Sequence, residues 1–380
     1  MHLRTALLAW SAFVAFRTCT ADNIIPVSFS PRDIPRKVAD CKALNRLTQE
    51  VKDIEIHYAD INSDAEKTIV MEPGWPSLWH SWKYQIEEFK DEYHIVAPDH
   101  RGFASSTHPG DIESSGTWGD HVGDMVCALE HAGVNHAICM GHDWGSQICY
   151  EAARMRPDLI EGVIGMAIPY IPSAGHYVPN SALVSSLRKL AYQLFLAQNE
   201  RAAAELNANP RRTLRATLRT SASPPPDAFL IDPESFLGGW KDVEEIPPIP
   251  FLTPEEEDYW VEQFEIQGFG PTLGFYTNGN RQLSWEFTHN QGNFTISQPV
   301  LSVLPLNDPV ADWVVAAKLL GSEKYLPNLT TETLDAEHWL HLEHPREVNA
   351  ILRKWLGAFP GGETEDTIRD DGVGRAADEL

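Results

Sequence analysis

Apolar residues recur along this chain in two alternating rhythms. From Ile54 onward, short runs rich in β-branched residues are followed by stretches with helical spacing, and the pairing repeats. Ile69-Val70-Met71, Ile95-Val96-Ala97, the run from His136 to Met140 and the run from Ile160 to Ile168 are the predicted strands of the first part. Such alternation predicts the α/β class, a doubly wound sheet that is parallel over most of its strands. After Pro169 the rhythm changes, and a strand pattern returns only at Val300 to Leu304. Residues 169–297 are therefore expected to form an inserted helical lid. Helical patterns over Leu183 to Asn207 and Pro254 to Gln267 are separated there by proline-rich loops at Ser223-Pro224-Pro225-Pro226 and Ile246-Pro247-Pro248-Ile249-Pro250. Thr253-Pro254-Glu255-Glu256 opens the second helix with a cap, a first-turn proline and a glutamate that can complete a capping box. A helix from about Ala311 to Leu320, a strand near Leu334 and a closing helix from Pro345 to Leu356 follow. The core is thus expected in two parts, residues 40–168 and 298–358.

The ends have a different character. Met1-His2-Leu3-Arg4 precedes an apolar run from Ala6 to Phe16 and then Cys19-Thr20-Ala21, which predicts a signal peptide over residues 1–21; an uncleaved anchor is the alternative. Residues 359–380 are rich in glycine and carboxylates and form an acidic tail. It ends Ala377-Asp378-Glu379-Leu380, one residue away from a Lys/His-Asp-Glu-Leu retrieval signal. Together these point to the secretory pathway, either the endoplasmic-reticulum lumen or export. Sequons at Asn293-Phe294-Thr295 and Asn328-Leu329-Thr330 would be usable glycosylation sites there. Cys41, Cys127, Cys139 and Cys149 lack metal-ligand spacing and read as buried thiols, with no disulfide pairing legible.

Charge narrows the partners. A formal net charge of -24 repels phosphate backbones and anionic headgroups, which argues against nucleic acid and against membrane attachment through a basic patch. Twelve tryptophans suit an apolar pocket for a small, roughly neutral substrate. No motif implies a metal or an organic cofactor.

The chemistry-bearing residues lie just after predicted strands, where open α/β sheets place ligands. Gly141-His142-Asp143-Trp144-Gly145 has the glycine spacing of a nucleophile elbow, with aspartate at the catalytic position. A carboxylate needs no base to attack a saturated carbon, and the product is an alkyl-enzyme ester. Its hydrolysis needs a base, for which His338 in Ala336-Glu337-His338-Trp339 is the candidate; His142, adjacent to the nucleophile, should point away from the cavity. Asp308, in Asn307-Asp308-Pro309-Val310, would orient the His338 imidazole.

Between leader and tail, the chain resembles the epoxide hydrolases of the α/β-hydrolase superfamily. The resemblance rests on Gly74-Trp75-Pro76, Ser81-Trp82-Lys83-Tyr84-Gln85, Asp99-His100-Arg101-Gly102, the Asp143 elbow, Asp308 and His338, in that order. It implies an α/β-hydrolase fold and conversion of a small hydrophobic epoxide, with water, to a vicinal diol. It implies further that Tyr192 and Tyr276 of the lid polarise the epoxide oxygen, and that the backbone N–H groups of Trp75 and Trp144 form an oxyanion hole. The Trp75-Pro76 bond is expected to be cis, since that loop must turn tightly. The indoles of Trp75, Trp144 and Trp339 are candidates to line the substrate cavity; for Trp339, as for Trp79, core packing is the alternative.

Three positions depart from the family pattern. Pro73 stands where a histidine is usual, Glu337 where a glycine precedes the catalytic histidine, and Ala104 where a turn glycine is usual. Haloalkane dehalogenase activity is the competing reading, because those enzymes share the aspartate elbow; an idle hydrolase fold that binds a small hydrophobic molecule is another.

Overall fold

The computed structural model describes residues 25–359. The expected signal peptide with Cys19, and the acidic tail beyond Phe359 with its terminal Ala-Asp-Glu-Leu, lie outside the described residues.

An eight-stranded sheet runs in the order β1-β2-β4-β3-β5-β6-β7-β8. β1 (Arg36–Asn45) and β2 (Glu50–Ile61) form an antiparallel hairpin at one edge, and β2 also runs antiparallel to β4 (His94–Pro98). The other neighbours pair in parallel: β3 (Thr68–Glu72), β4, β5 (Ala137–His142), β6 (Ile160–Met166), β7 (Val300–Pro305) and β8 (Leu329–Leu334). Residues of β3, β4, β5 and β7 are buried throughout, as expected for parallel strands covered on both faces. Each predicted strand is present; the edge hairpin of β1 and β2 is an addition to them.

Helices α1 (Lys83–Phe89), α2 (Trp118–His131) and α3 (Trp144–Met155) lie within the first part of the sheet. Between β6 and β7 come α4 (Asn180–Leu183), α5 (Tyr192–Leu196), α6 (Asn199–Asn207), α7 (Pro210–Thr217), α8 (Pro254–Gln267) and α9 (Asn278–Gln291). The expected helix over Leu183 to Asn207 is instead a series of short pieces. Leu187 at ψ 71° and Gln198 at ψ 68° leave the helical region and break the hydrogen-bond ladder there. α8 has the bounds and the Thr253/Glu256 capping box that its sequence announces. α10 (Trp313–Leu320), α11 (Leu340–Glu343) and α12 (Pro345–Gly357) complete the chain.

α8 is tied to the core by buried polar contacts. Lys83 Nζ donates to both Glu256 carboxylate oxygens (2.9 and 2.8 Å), Trp260 Nε1 to His80 Nδ1 (3.1 Å) and Trp79 Nε1 to the Tyr259 hydroxyl (3.0 Å). Trp79 is thus a packing residue that joins sheet and lid. Burying a charge requires such pairing, so the lid base is held in one register.

The cysteines correct an expectation. Cys41 pairs with Cys127, joining β1 to α2, and Cys139 pairs with Cys149, joining β5 to α3. They are disulfides, not thiols. The folded topology brings partners 86 residues apart to a Cα separation of 6.0 Å, which linear spacing does not reveal.

Candidate active site

β5 ends in Asp143, which adopts φ 54° and ψ -125° as the cap of α3. A side chain other than glycine strains in this region, and the surroundings hold the turn there. A Cβ on Gly141 would sit 2.2 Å from the Gly145 carbonyl, and one on Gly145 would sit 2.1 Å from the Glu72 carbonyl. Both glycines are therefore steric requirements of the elbow. Ser146 fastens it: its Oγ lies 2.9 Å from the Gly141 carbonyl and 2.8 Å from the Met166 carbonyl, while the Asp143 N–H donates to the Met166 carbonyl (3.1 Å).

Asp308 and His338 follow β7 and β8, so the sheet brings the three residues together from 195 positions of sequence. His338 Nδ1 bonds Asp308 Oδ2 at 2.7 Å, and its Nε2 faces Asp143 Oδ2 at 3.6 Å. The second distance exceeds a hydrogen bond. It places Nε2 beside the Asp143 carboxyl without a direct bond to it. Asp308 is immobilised by the Trp313 indole N–H (2.6 Å) and the Val310 N–H (2.8 Å). Burial opposes charge on His338, but the carboxylates of Asp308, Asp143 and Glu337 outweigh it and push its pKa up to about 9. Burial lifts Asp143 above the ordinary carboxylate range, against the pull of His338 and the Trp144 and Trp75 N–H groups. His142 is turned away: its Nε2 donates to the His338 carbonyl (2.8 Å), and burial keeps it neutral. Its part is to hold the backbone at His338.

The Trp75 N–H donates to Asp143 Oδ1 at 3.1 Å, and the Trp144 N–H also bonds this carboxyl group. Two converging backbone donors form the geometry of an oxyanion hole. The Trp75-Pro76 peptide is cis, as expected. At Pro73 the loop is supported by His100, whose Nε2 bonds the Pro73 carbonyl at 2.7 Å. A carbonyl only accepts, so Nε2 carries the proton; burial lowers the His100 pKa to about 4 and keeps the ring neutral. Its other nitrogen faces Glu72 Oε2 at 3.4 Å, and burial pushes Glu72 up to about 8. Ala104 retains the turn conformation at φ 48°, which costs a side-chain-bearing residue about 1 kcal/mol.

Tyr276 ends a 3-10 turn, Gly270–Tyr276, and Tyr192 begins α5. Their rings lie 6.0 Å apart, both buried, and Tyr276 meets Trp75 edge-on at 5.3 Å and Trp144 at 6.0 Å. Burial, reinforced by the Asp143 charge, holds both phenols well above their usual pKa, so they are protonated donors. Thr277 Oγ1 donates to the Glu113 carbonyl (2.9 Å) and Asn280 Nδ2 to Ile112 (2.8 Å), which pins Tyr276 over the core. The structure therefore brings Asp143, His338, Asp308, Tyr276, Tyr192, Trp75 and Trp144 together. Trp339 has a different setting. Its ring packs on His142 (5.1 Å) and its indole N–H donates to the Thr217 carbonyl (3.2 Å), linking the histidine loop to α7.

Sequence reasoning missed several contributors. Trp313 and Ser146 carry no signal beyond their nearness to Asp308 and Asp143. The Glu72–His100 pair was hinted at by the departure at Pro73, because a lost hydrogen bond under a functional loop calls for a replacement. Arg281 and Gln193 also went unnoticed: Arg281 Nη1 donates to Gln193 Oε1 (2.9 Å), and its guanidinium lies 5.4 Å from the Trp144 ring. Among the described residues no cluster of side chains suits a metal ion.

Known proteins resemble this arrangement. Epoxide hydrolase A of Mycobacterium tuberculosis is 29% identical over 316 residues, covering 80% of this chain and 94% of that protein. Bifunctional epoxide hydrolase 2 of Rattus norvegicus is 27% identical over 341 residues; the match takes in 87% of this chain but only 57% of the rat protein, little more than half its length. The crystal structure of epoxide hydrolase A from Mycobacterium thermoresistibile superposes with a TM-score of 0.71 at 27% identity, covering 87% of this chain and 100% of that one. The sequence profile of the alpha/beta hydrolase fold matches residues 67–345, most of the chain. With this extent of match, and an aspartate at the nucleophile elbow, the chain belongs to the alpha/beta hydrolase fold family.

Proposed function

We propose that this protein is an epoxide hydrolase that opens an epoxide by attack of Asp143 and releases a vicinal diol by hydrolysis of the resulting ester. The observation that carries the reading is the pair of buried, protonated phenols, Tyr192 and Tyr276, set 6.0 Å apart beside the Asp143 carboxyl. Ring opening breaks a C–O bond and leaves charge on oxygen, and a phenol can donate its proton there. The names of the relatives support the same chemistry.

In the first step an Asp143 oxygen attacks a ring carbon, and the electron pair of the breaking bond moves to the ring oxygen, which takes a proton from a tyrosine. In the second, His338 removes a proton from water as its oxygen adds to the Asp143 carboxyl carbon, the Trp75 and Trp144 N–H groups stabilise the oxyanion, and its collapse breaks the bond to the diol oxygen, which takes the carboxyl proton and leaves Asp143 as a carboxylate. One such donor is worth roughly 3 kcal/mol. Ester formation also discharges Asp143, one of the carboxylates that hold the proton on His338. Losing that charge favours the neutral base, while Asp308, the largest contributor among the carboxylates, continues to hold the imidazole in place. Of the two tryptophans at Asp143, Trp75 has its indole N–H committed to Thr272 Oγ1 (3.0 Å), which leaves the Trp144 indole N–H as the donor a departing halide would use.

Passage through the secretory pathway forms part of the proposal. Two disulfides suit an oxidising compartment, and both Asn293 and Asn328 are exposed. A glycosidase-sensitive mass on protein secreted by a eukaryotic host tests this part; unglycosylated, cytosolic protein with free thiols contradicts it.

The test of activity is turnover of a panel of styrene and fatty-acid epoxides, with haloalkanes alongside and Asp143→Ala as control. Diol formation that the control abolishes is expected. Halide release without diol would replace the reading with a dehalogenase.

A further inference from the structure

Arg281 is a part-buried cation that forms no ion pair with a carboxylate among the described residues. The other arginines near the sheet differ: Arg101 is gripped by Asp124 (2.6 and 2.7 Å), and Arg154 lies against Glu151. Leaving a guanidinium without a counterion costs free energy, which burial expresses by lowering the Arg281 pKa. Its neighbours are instead Trp144, Gln193 and the phenols of Tyr177, Tyr192 and Tyr276.

The contact with Gln193 has a directional consequence. A guanidinium has only donors, so the 2.9 Å bond from Arg281 Nη1 must end on the amide oxygen, Oε1. The amide is thereby fixed with its nitrogen toward the Tyr192 hydroxyl, 3.3 Å away. An amide nitrogen only donates, so the phenol oxygen accepts there, and its own proton is turned away from Gln193. The opposite amide orientation would offer Tyr192 an acceptor and draw that proton off.

We propose that Arg281, acting through Gln193, is a positioning residue that directs the Tyr192 proton to the epoxide oxygen. This rests on the epoxide hydrolase reading and deepens it. As the C–O bond breaks, the ring oxygen receives the electron pair and then the Tyr192 proton. The phenolate left behind faces the Gln193 N–H and the Arg281 charge. The water consumed in hydrolysis supplies hydroxide to the ester and, through His338, the proton that restores the phenol.

The decisive variant is Gln193→Glu. A glutamate keeps, and strengthens, the bond to Arg281, so lid packing is retained, but it presents Tyr192 with an acceptor. Rapid-quench single turnover, with mass spectrometry separating free from alkylated protein, reads ester formation and ester decay independently. The substrate is the epoxide of the panel that the wild-type protein turns over fastest. Ester formation in Gln193→Glu is expected to slow by roughly tenfold or more, the scale of a misdirected donor, with decay unchanged. In a Tyr192→Phe background the same substitution is expected to have no further effect. Formation at the wild-type rate, or an equal loss in both backgrounds, overturns the inference while leaving the enzyme reading intact. A wild-type protein that forms no ester overturns both. Should Gln193→Glu not fold, Arg281→Lys against Arg281→Met decides: lysine, which can still donate to Gln193 Oε1, must retain ester formation that methionine loses, and equal rates refute the relay.

Discussion

Asp143, Asp308 and His338 stand just beyond the ends of β5, β7 and β8, whereas Tyr192 and Tyr276 are carried by short turns of the segment between β6 and β7. In the first group Asp143 is fixed by backbone constraint, through a positive φ, two glycines whose replacement would collide with carbonyls, and Ser146 spanning the turn, while Asp308 and His338 are held by the Trp313 indole and by His142. The second is fixed by side chains reaching across, from Asn280, Thr277 and the Arg281–Gln193 contact. Ester formation needs both groups, and ester hydrolysis needs the first. Substitutions on the two sides should therefore separate the two steps, and that separation is where the account is most exposed.

The largest effect is expected for Asp143→Ala, which removes the atom that forms the ester; turnover should fall by about 10⁴-fold or more, measured as diol formed. Substituting His338 with glutamine should leave ester formation largely in place and slow its decay by roughly 10³-fold, so that alkylated protein accumulates in a quenched-flow mass spectrum. On the lid side, Tyr276→Phe and Tyr192→Phe should each slow ester formation by about 10²-fold and spare decay. Slow decay in these variants would break the division between the halves.

Smaller effects sharpen it. Decay requires neutral His338, whose proton is favoured by the Asp308 and Glu337 carboxylates once Asp143 is esterified. The rate of decay should thus rise with pH, and Glu337→Gln, by removing one negative charge, should move that rise to lower pH. An unmoved or higher midpoint would contradict the assigned direction. The smallest effect concerns Glu72, whose pKa is raised by burial from 4.5 to about 8. The folded state holds this proton more tightly than the unfolded state. The associated stability is present below pH 4.5 and is lost as pH rises toward 8. Thermal melting of Glu72→Gln should lack this component of the decline.

Much of the strand-end half was legible because its causes are local. The glycines around Asp143 and the strand runs before it and before Asp308 announce a strand-turn-helix and a strand end in sequence. Tyr192 and Tyr276 were found only through family resemblance, since no period or cap sets a lid tyrosine apart from a packed aromatic. Gln193 and Arg281, 88 residues apart, meet through the packing of α5 against α9; the apolar pattern merges α5 into one long helix over Leu183 to Asn207 and does not announce α9. The cysteines failed for the same reason, their pairing being a property of the sheet topology. Trp339 combines proximity to His338 with a bond to Thr217, so its position near the site does not by itself give it a contact with substrate.

The most direct test of the central claim is a single turnover of excess protein with an epoxide substrate in heavy-oxygen water, followed by peptide mass spectrometry. The account predicts one heavy oxygen in the Asp143 carboxyl and a diol whose new oxygen came from the protein. Heavy oxygen in the diol with an unlabelled Asp143 would contradict it, because water would then have opened the ring without an ester.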